Sequence, residues 1–167
     1  MKQAQGVENE TIRIERRPAL RIAGLVKRYP ATPEAMQTLG KQWMELAHGP
    51  AGAILANGPV MYGIHIGLFG DSGEDEYTSG VELRASDEIP SGLIELRIPA
   101  LDYAVVEHTG LVSEISQTTS DFLVNRLPAS SYRLAGARPL DLIERYGKNF
   151  DPAKGAGDIE LLIPVEA

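Results

Sequence analysis

Cysteine is absent from the 167 residues, which removes disulfides, thiolate metal sites, iron–sulfur clusters and thiol nucleophiles together. Histidine is scarce. His48, His65 and His108 stand far apart and none belongs to an HExxH-type pair, so neither a metal nor a cofactor is expected. Positive charge is in the minority: 16 Lys and Arg against 23 Asp and Glu leave a formal net charge of -7. That balance argues against a surface that tracks phosphates, and so against a nucleic-acid partner. No apolar run approaches the roughly 20 residues of a membrane span, and residues 1–10 are polar, without the apolar segment of an export signal. A cytoplasmic protein without membrane contact is the expectation, and the glycosylation triplet Asn9-Glu10-Thr11 then has no bearing. The GxSxG and phosphate-loop patterns are missing too, which removes the usual hydrolase and nucleotide signals.

What is present is an ordinary supply of core: 43% hydrophobic and 23% charged residues, enough for one globular domain of this length. Seventeen Gly and eleven Pro imply many tight turns between short elements rather than a helical bundle. Ile12 and Ile14, then Leu20, Ile22 and Val26, alternate on either side of Pro18 and predict a strand broken there. Thr32-Pro33-Glu34 combines an N-cap residue, a first-turn proline and a first-turn acid. The stripe Met36, Leu39, Trp43, Leu46 continues it as a helix that stops at His48-Gly49-Pro50. A loop over 51–59 leads to a strand with Tyr62, Ile64, Ile66 and Leu68. The polar turn Gly70 to Asp75 joins it to a second strand, Tyr77 to Arg84. Short strands follow at Leu93 to Ile98 and Asp102 to His108. A helix over Leu111 to Leu127 is weakened in the middle by Thr118-Thr119-Ser120, and strands at Pro139 to Tyr146 and Asp158 to Val165 complete the chain.

Strand, helix, strand, strand therefore occurs twice. At an offset of 78 residues Val81-Glu82-Leu83 falls on Ile159-Glu160-Leu161, and Ile64, Ile66 and Leu68 fall on Leu142, Glu144 and Tyr146; the leading strands align at 81, with Ile22-Ala23-Gly24 on Tyr103-Ala104-Val105. The expected fold is α+β: a tail over 1–10, then a single domain over 11–167 made of two βαββ repeats, about 11–85 and about 101–167. Neither half covers its own sheet edge comfortably, so the two are expected to share one antiparallel sheet with both helices on it. A seam between repeats is a common place for a small-molecule cleft.

The alternation Leu140, Leu142, Glu144, Tyr146 puts one carboxylate on an apolar strand face, at a position whose counterpart in this alignment is Ile66. A buried, unpaired carboxylate costs on the order of several kcal/mol, so something must compensate it. One reading is a cationic ligand flanked by the rings of Tyr62, Tyr103 and Tyr146; the other is a cross-strand Arg or a tyrosine hydroxyl. Trp43 is a core residue or a ligand platform. Glu82 and Glu160 read as ordinary solvent-facing carboxylates, with Glu82 kept as a ligand-binding candidate. His65 points away from Ile64 and Ile66, as a packed or hydrogen-bonded histidine.

Several segments in order carry a family likeness: Pro18-Ala19-Leu20-Arg21-Ile22-Ala23-Gly24-Leu25; Tyr62-Gly63-Ile64 leading to Gly80-Val81-Glu82-Leu83; Leu101 through Gly110; and Leu142-Ile143-Glu144-Arg145-Tyr146 followed by Ile159 through Val165. Together they resemble the gyrase-inhibitor-like (GyrI-like) family, which includes effector-binding domains of AraC- and MerR-type transcription regulators. The resemblance implies a curved antiparallel sheet with two helices on one face, a central ligand cleft, and a glutamate, here Glu144, reaching toward lipophilic cations as in drug-binding members. With no helix-turn-helix segment in the chain, a stand-alone sensor module is expected, of the kind found among mobile gene-cassette (integron cassette) proteins. The leading expectation is a binding protein for hydrophobic cations, with Glu144 as anchor and no reaction required. The competing readings are a hydrolase of strained electrophilic rings using Glu144, as in some stand-alone relatives, and a protein-interaction module acting on gyrase or transcription. A homodimer or a transcription-related protein partner stays open.

Overall fold

A computed structural model describes residues 12–49 and 51–167; the expected tail, the triplet at Asn9 and the stop at Pro50 lie outside the described residues. Among the described residues nine strands form the framework: β1 (Ile14–Arg17), β2 (Leu20–Pro30), β3 (Met61–Ile66), β4 (Glu74–Glu82), β5 (Ile94–Ile98), β6 (Leu101–His108), β7 (Arg133–Leu134), β8 (Leu142–Tyr146) and β9 (Ile159–Glu166). Pro18, which can donate no ladder hydrogen bond, separates β1 from β2. All pairings are antiparallel, in the order β1-β6-β9-β8-β3-β4-β2-β5, with β7 on β9.

Two short links force this sheet to curl. β1 runs into β2, and β5 into β6, through only two residues each, a reach of about 11 Å at most. Yet each link joins strands six places apart in the order, which in a flat sheet would be about 29 Å. The edges must therefore approach each other. The inner face closes on itself, burying Ile22, Tyr62, Ile64, Ile98, Tyr103, Val105, Ile143 and Leu162 in one cluster to which no helix contributes.

The other face carries the helices. The first repeat supplies α1 (Pro33–Met36), α2 (Gly40–His48) and α3 (Gly52–Leu55). Thr32 caps the first of these as anticipated, its hydroxyl accepting from the Ala35 N–H at 3.2 Å. The single expected helix is thus broken, and α3 occupies part of the expected loop. Leu39 and Leu46 of the apolar stripe are buried while Trp43 is partly so. The second repeat supplies a 3-10 turn (Val112–Glu114), α4 (Ile115–Asp121) and a π-helical turn (Phe122–Arg126). Phe122, wholly buried, packs there with Ile115 and Leu127 against Ala104, Val106, Leu161 and Ile163.

The ladder corrects the alignment of the repeats. Tyr77 pairs with Lys27 and His65, and Ile159 with His108 and Tyr146. Carrying Lys27 onto His108 at the offset of 81 therefore carries His65 onto Tyr146, and Gly63 onto Glu144. Ile66 is not the counterpart of Glu144; it lies on the opposite face. Likewise Ile159-Glu160-Leu161 matches Tyr77-Thr78-Ser79, not Val81-Glu82-Leu83. The slip of four residues in the hairpin strand preserves period-two alternation, and the slip of three in β3 exchanges two faces that are both buried, so only the hydrogen-bond register decides between alignments. β3 and β8 meet at the seam, with Gly63 directly opposite Glu144.

Candidate functional site

Glu144 lies mid-strand on β8, on the helical face with Leu142 and Tyr146, both in the helical-face core. Leu140 precedes the strand and packs on the inner side instead. The carboxylate is 5% exposed, and Gly63 makes room for it: a Cβ there would stand 2.8 Å from Glu144 Oε1 and 2.3 Å from the Tyr77 hydroxyl. Three side chains bind it. Tyr146 and Tyr77 donate their hydroxyls to Oε1 at 2.7 and 3.1 Å, and His65 Nε2 lies against Oε2. The other ring nitrogen of His65 is 2.6 Å from Asp75 Oδ2. His65 is 2% and Asp75 0% exposed.

These groups converge because parity brings them together. Gly63 and His65 on β3, Asp75 and Tyr77 on β4, and Glu144 and Tyr146 on β8 all occupy the helical face of adjacent strands. From above, α2 adds Trp43, whose indole N–H donates to the Tyr77 hydroxyl at 2.9 Å. Gln42 anchors that helix: its amide donates to Leu25 O, Tyr77 O and Ser79 Oγ at 2.9, 3.0 and 3.1 Å, and its oxygen accepts from Tyr29 at 2.7 Å. Ring packs on ring around the carboxylate, Trp43 edge-on to Tyr146 at 5.8 Å and Tyr146 against Phe150 at 4.8 Å.

Burial alone would strip His65 of its charge. The neighbouring Glu144 charge and the hydrogen bonds that the ring donates to Asp75 and Glu144 outweigh that effect and push its pKa up to about 9. Glu144 shows the converse: burial raises its pKa, but the His65 charge and the bonds from His65, Tyr146 and Tyr77 hold it below the usual carboxylate value. Burial, with the Glu144 charge behind it, pushes the Tyr77 and Tyr146 hydroxyls well above theirs. At neutral pH His65 and Glu144 thus form a buried ion pair.

Of the residues expected at a ligand site, the structure brings together Glu144, Tyr146 and Trp43. Tyr62, Tyr103 and Glu82 lie across the sheet: Tyr62 and Tyr103 are in the inner core, and the Tyr62 hydroxyl is 3.5 Å from Glu82 Oε2. An even-numbered strand position in β3 cannot share a face with Gly63 and His65. Asp75, Tyr77 and Gln42 are additions to the expected site: Asp75 belongs to β4 rather than to the turn before it, and the alternation Asp75, Tyr77, Ser79, Val81 is the sequence signal that places it on the helical face. His65 is the hydrogen-bonded histidine anticipated, with partners that lie ten residues and more away in the chain. Two surface grooves, of about 490 and 270 Å³, lie elsewhere: one runs along Leu20, Arg21, Glu82, Leu83 and Arg97, the other along Ile66, Arg138 and Asp141. Among the described residues no helix is long and apolar enough to cross a membrane, and no cluster of His, Asp and Glu is arranged to hold a metal ion.

The chain is 28% identical over 112 residues to the transcriptional regulator BrlR of Pseudomonas aeruginosa, covering 67% of this chain and 40% of BrlR, so it spans well under half of that relative. Among solved structures, SAV2435 bound to tetraphenylphosphonium superposes with a TM-score of 0.71 at 17% identity over 94% of both chains. The integron cassette protein VCH_CASS2 from the Vibrio cholerae mobile metagenome does so with 0.67 at 19% identity, over 93% of this chain and 95% of that one. At these identities the likeness is one of fold. The model of the GyrI-like small molecule binding domain matches residues 10–166, nearly the whole chain, and the chain therefore belongs to the GyrI-like small-molecule-binding family.

Proposed function

We propose that this chain binds hydrophobic small molecules that carry a positive charge, with Glu144 as their counter-ion and Trp43, Tyr77 and Tyr146 as the walls against which they stack. The observation that carries the reading is an ionised carboxylate at the seam of two repeats, on the helical face, ringed by aromatic side chains and hydrogen-bonded to His65, Tyr77 and Tyr146. Such an array complements a delocalised cation, which loses little hydration on burial and gains both Coulombic and cation–π attraction. The fold shared with SAV2435, whose structure holds tetraphenylphosphonium, supports the same ligand class. Because Trp43 and the tyrosines cover Glu144, which is only 5% exposed, a guest must displace part of this cover to reach it. A general acid at neutral pH is a poorer assignment for Glu144, since its neighbours hold it ionised.

Titration with tetraphenylphosphonium, followed by the fluorescence of Trp43, the single tryptophan, tests the reading. Binding in the micromolar range, about -8 kcal/mol, is expected. Glu144→Gln should weaken it at least tenfold; an unchanged Kd in a folded variant would remove the proposed counter-ion.

A further inference from the structure

His65 is the buried titratable group that cation binding at Glu144 leaves without a role. Both of its ring nitrogens face carboxylate oxygens, Asp75 Oδ2 on one side and Glu144 Oε2 on the other. A neutral imidazole has one N–H and one lone pair, so it can donate to one carboxylate only and would turn its lone pair on the other. With a donor at each ring nitrogen, the ring holds two protons and serves as the counter-charge of Glu144. The groups that face it are few. β4 presents Asp75 and Tyr77, β8 presents Glu144 and Tyr146, and α2 presents the neutral Trp43 and Gln42, with Tyr29 of β2 behind Gln42. Among the described residues, every bond to Glu144 comes from His65, Tyr77 or Tyr146, and the ring is its one cationic partner.

A positively charged guest and the His65 proton therefore contend for the same carboxylate. We propose that this site exchanges a proton for its ligand: as a lipophilic cation settles against Glu144, the Nε2 proton of His65 leaves for solvent, and the ring stays as a neutral imidazole donating Nδ1–H to Asp75. Charge balances, because one positive charge, that of the ligand, takes the place of another, that of the proton. The inference rests on the cation-binding reading above and adds its regulation. By linkage, whatever the cation does to the proton affinity of His65, the proton does to the affinity for the cation.

Tetraphenylphosphonium suits the test because its own charge does not change with pH. Its Kd for the wild-type chain should tighten at least tenfold between pH 6.5 and 9.5. Calorimetry at pH 8 in two buffers of different ionisation enthalpy should show net proton release on binding. Neither Glu144, held below the usual carboxylate range, nor Tyr77 and Tyr146, held far above the usual phenol range, titrates in that window. In His65→Gln the Kd should vary less than threefold over the same range. Binding to the wild type with a pH-independent Kd and no proton release would overturn the exchange and leave the cation-binding reading standing. Failure of tetraphenylphosphonium to bind at any pH would overturn both, and neither measurement on the wild type depends on the variant folding.

Discussion

Adding one methyl group at Gly63 should damage this protein far more than a glycine-to-alanine change in a strand usually does. The new Cβ would lie 2.3 Å from the Tyr77 hydroxyl oxygen, 3.0 Å from its ring carbon and 2.8 Å from Glu144 Oε1. Tyr77 has no free direction in which to yield: it is fully buried and its hydroxyl is tied to the Trp43 indole. Overpacking of this kind costs roughly 1–3 kcal/mol. Pushing Tyr77 away from Glu144 also loses a hydrogen bond to a charged group, about 1.5–3 kcal/mol. Against these stands a gain of about 0.4–1 kcal/mol from the stiffer unfolded chain, since Gly63 is not among the glycines with positive φ. The net expectation is a loss of roughly 2–5 kcal/mol, or a Tm lower by about 5–15 °C for a chain of this length. Urea unfolding of Gly63→Ala beside Gly40→Ala provides the assay, because a Cβ at Gly40 meets nothing within 4 Å and that variant should be neutral or slightly stabilising. Equal midpoints for the two variants would refute the close approach of Gly63 to the carboxylate, and with it the argument for why glycine stands opposite Glu144.

Three further outcomes are expected. Glu144→Gln should remove the neighbouring charge that raises the His65 pKa, lowering it from about 9, as histidine NMR would report, and breaking a buried ion pair at a cost of about 3–5 kcal/mol in urea unfolding. Stability should depend on pH in a definite direction: the folded-state pKa of His65 is raised, so its contribution of about 3 kcal/mol is complete below about pH 6.5 and is lost as pH rises through about 9. The Glu144 pKa is lowered, so its contribution holds above the usual carboxylate range and fades on acidification. A urea-midpoint series from pH 4 to 10 checks both limbs, and a midpoint that rises between pH 7 and 10 would reverse the assigned sign. Tyr62→Phe, altered on the inner face, should leave tetraphenylphosphonium affinity within twofold, as fluorescence titration would show.

Much of this molecule was written in local pattern. Pro18 divided β1 from β2, Thr32-Pro33-Glu34 began a helix, and alternation around Ile64 and Ile143 marked strands of the right period, because proline geometry, capping and the two-residue pleat act within a few residues of sequence. The same alternation placed Glu144 among apolar neighbours and turned His65 away from Ile64. What it could not settle was the register. Both faces of β3 are buried, so alternation there carries no label of face: a slip of three residues sets Ile66 against Glu144 in place of Gly63, and groups Tyr62 and Tyr103 with a carboxylate that lies across the sheet from them.

By itself, then, the sequence determined a twice-repeated βαββ chain with one carboxylate on an apolar strand face. Tertiary structure alone decided what that carboxylate meets. Its partners come from β3, β4 and β8 and its cover from α2, and their meeting depends on hydrogen-bond ladders between segments far apart in the chain. No local preference encodes that Asp75, His65 and Glu144 should share two hydrogen bonds in line. That follows once the seam pairs Gly63 with Glu144, because only a position without a side chain leaves space there for a buried charge.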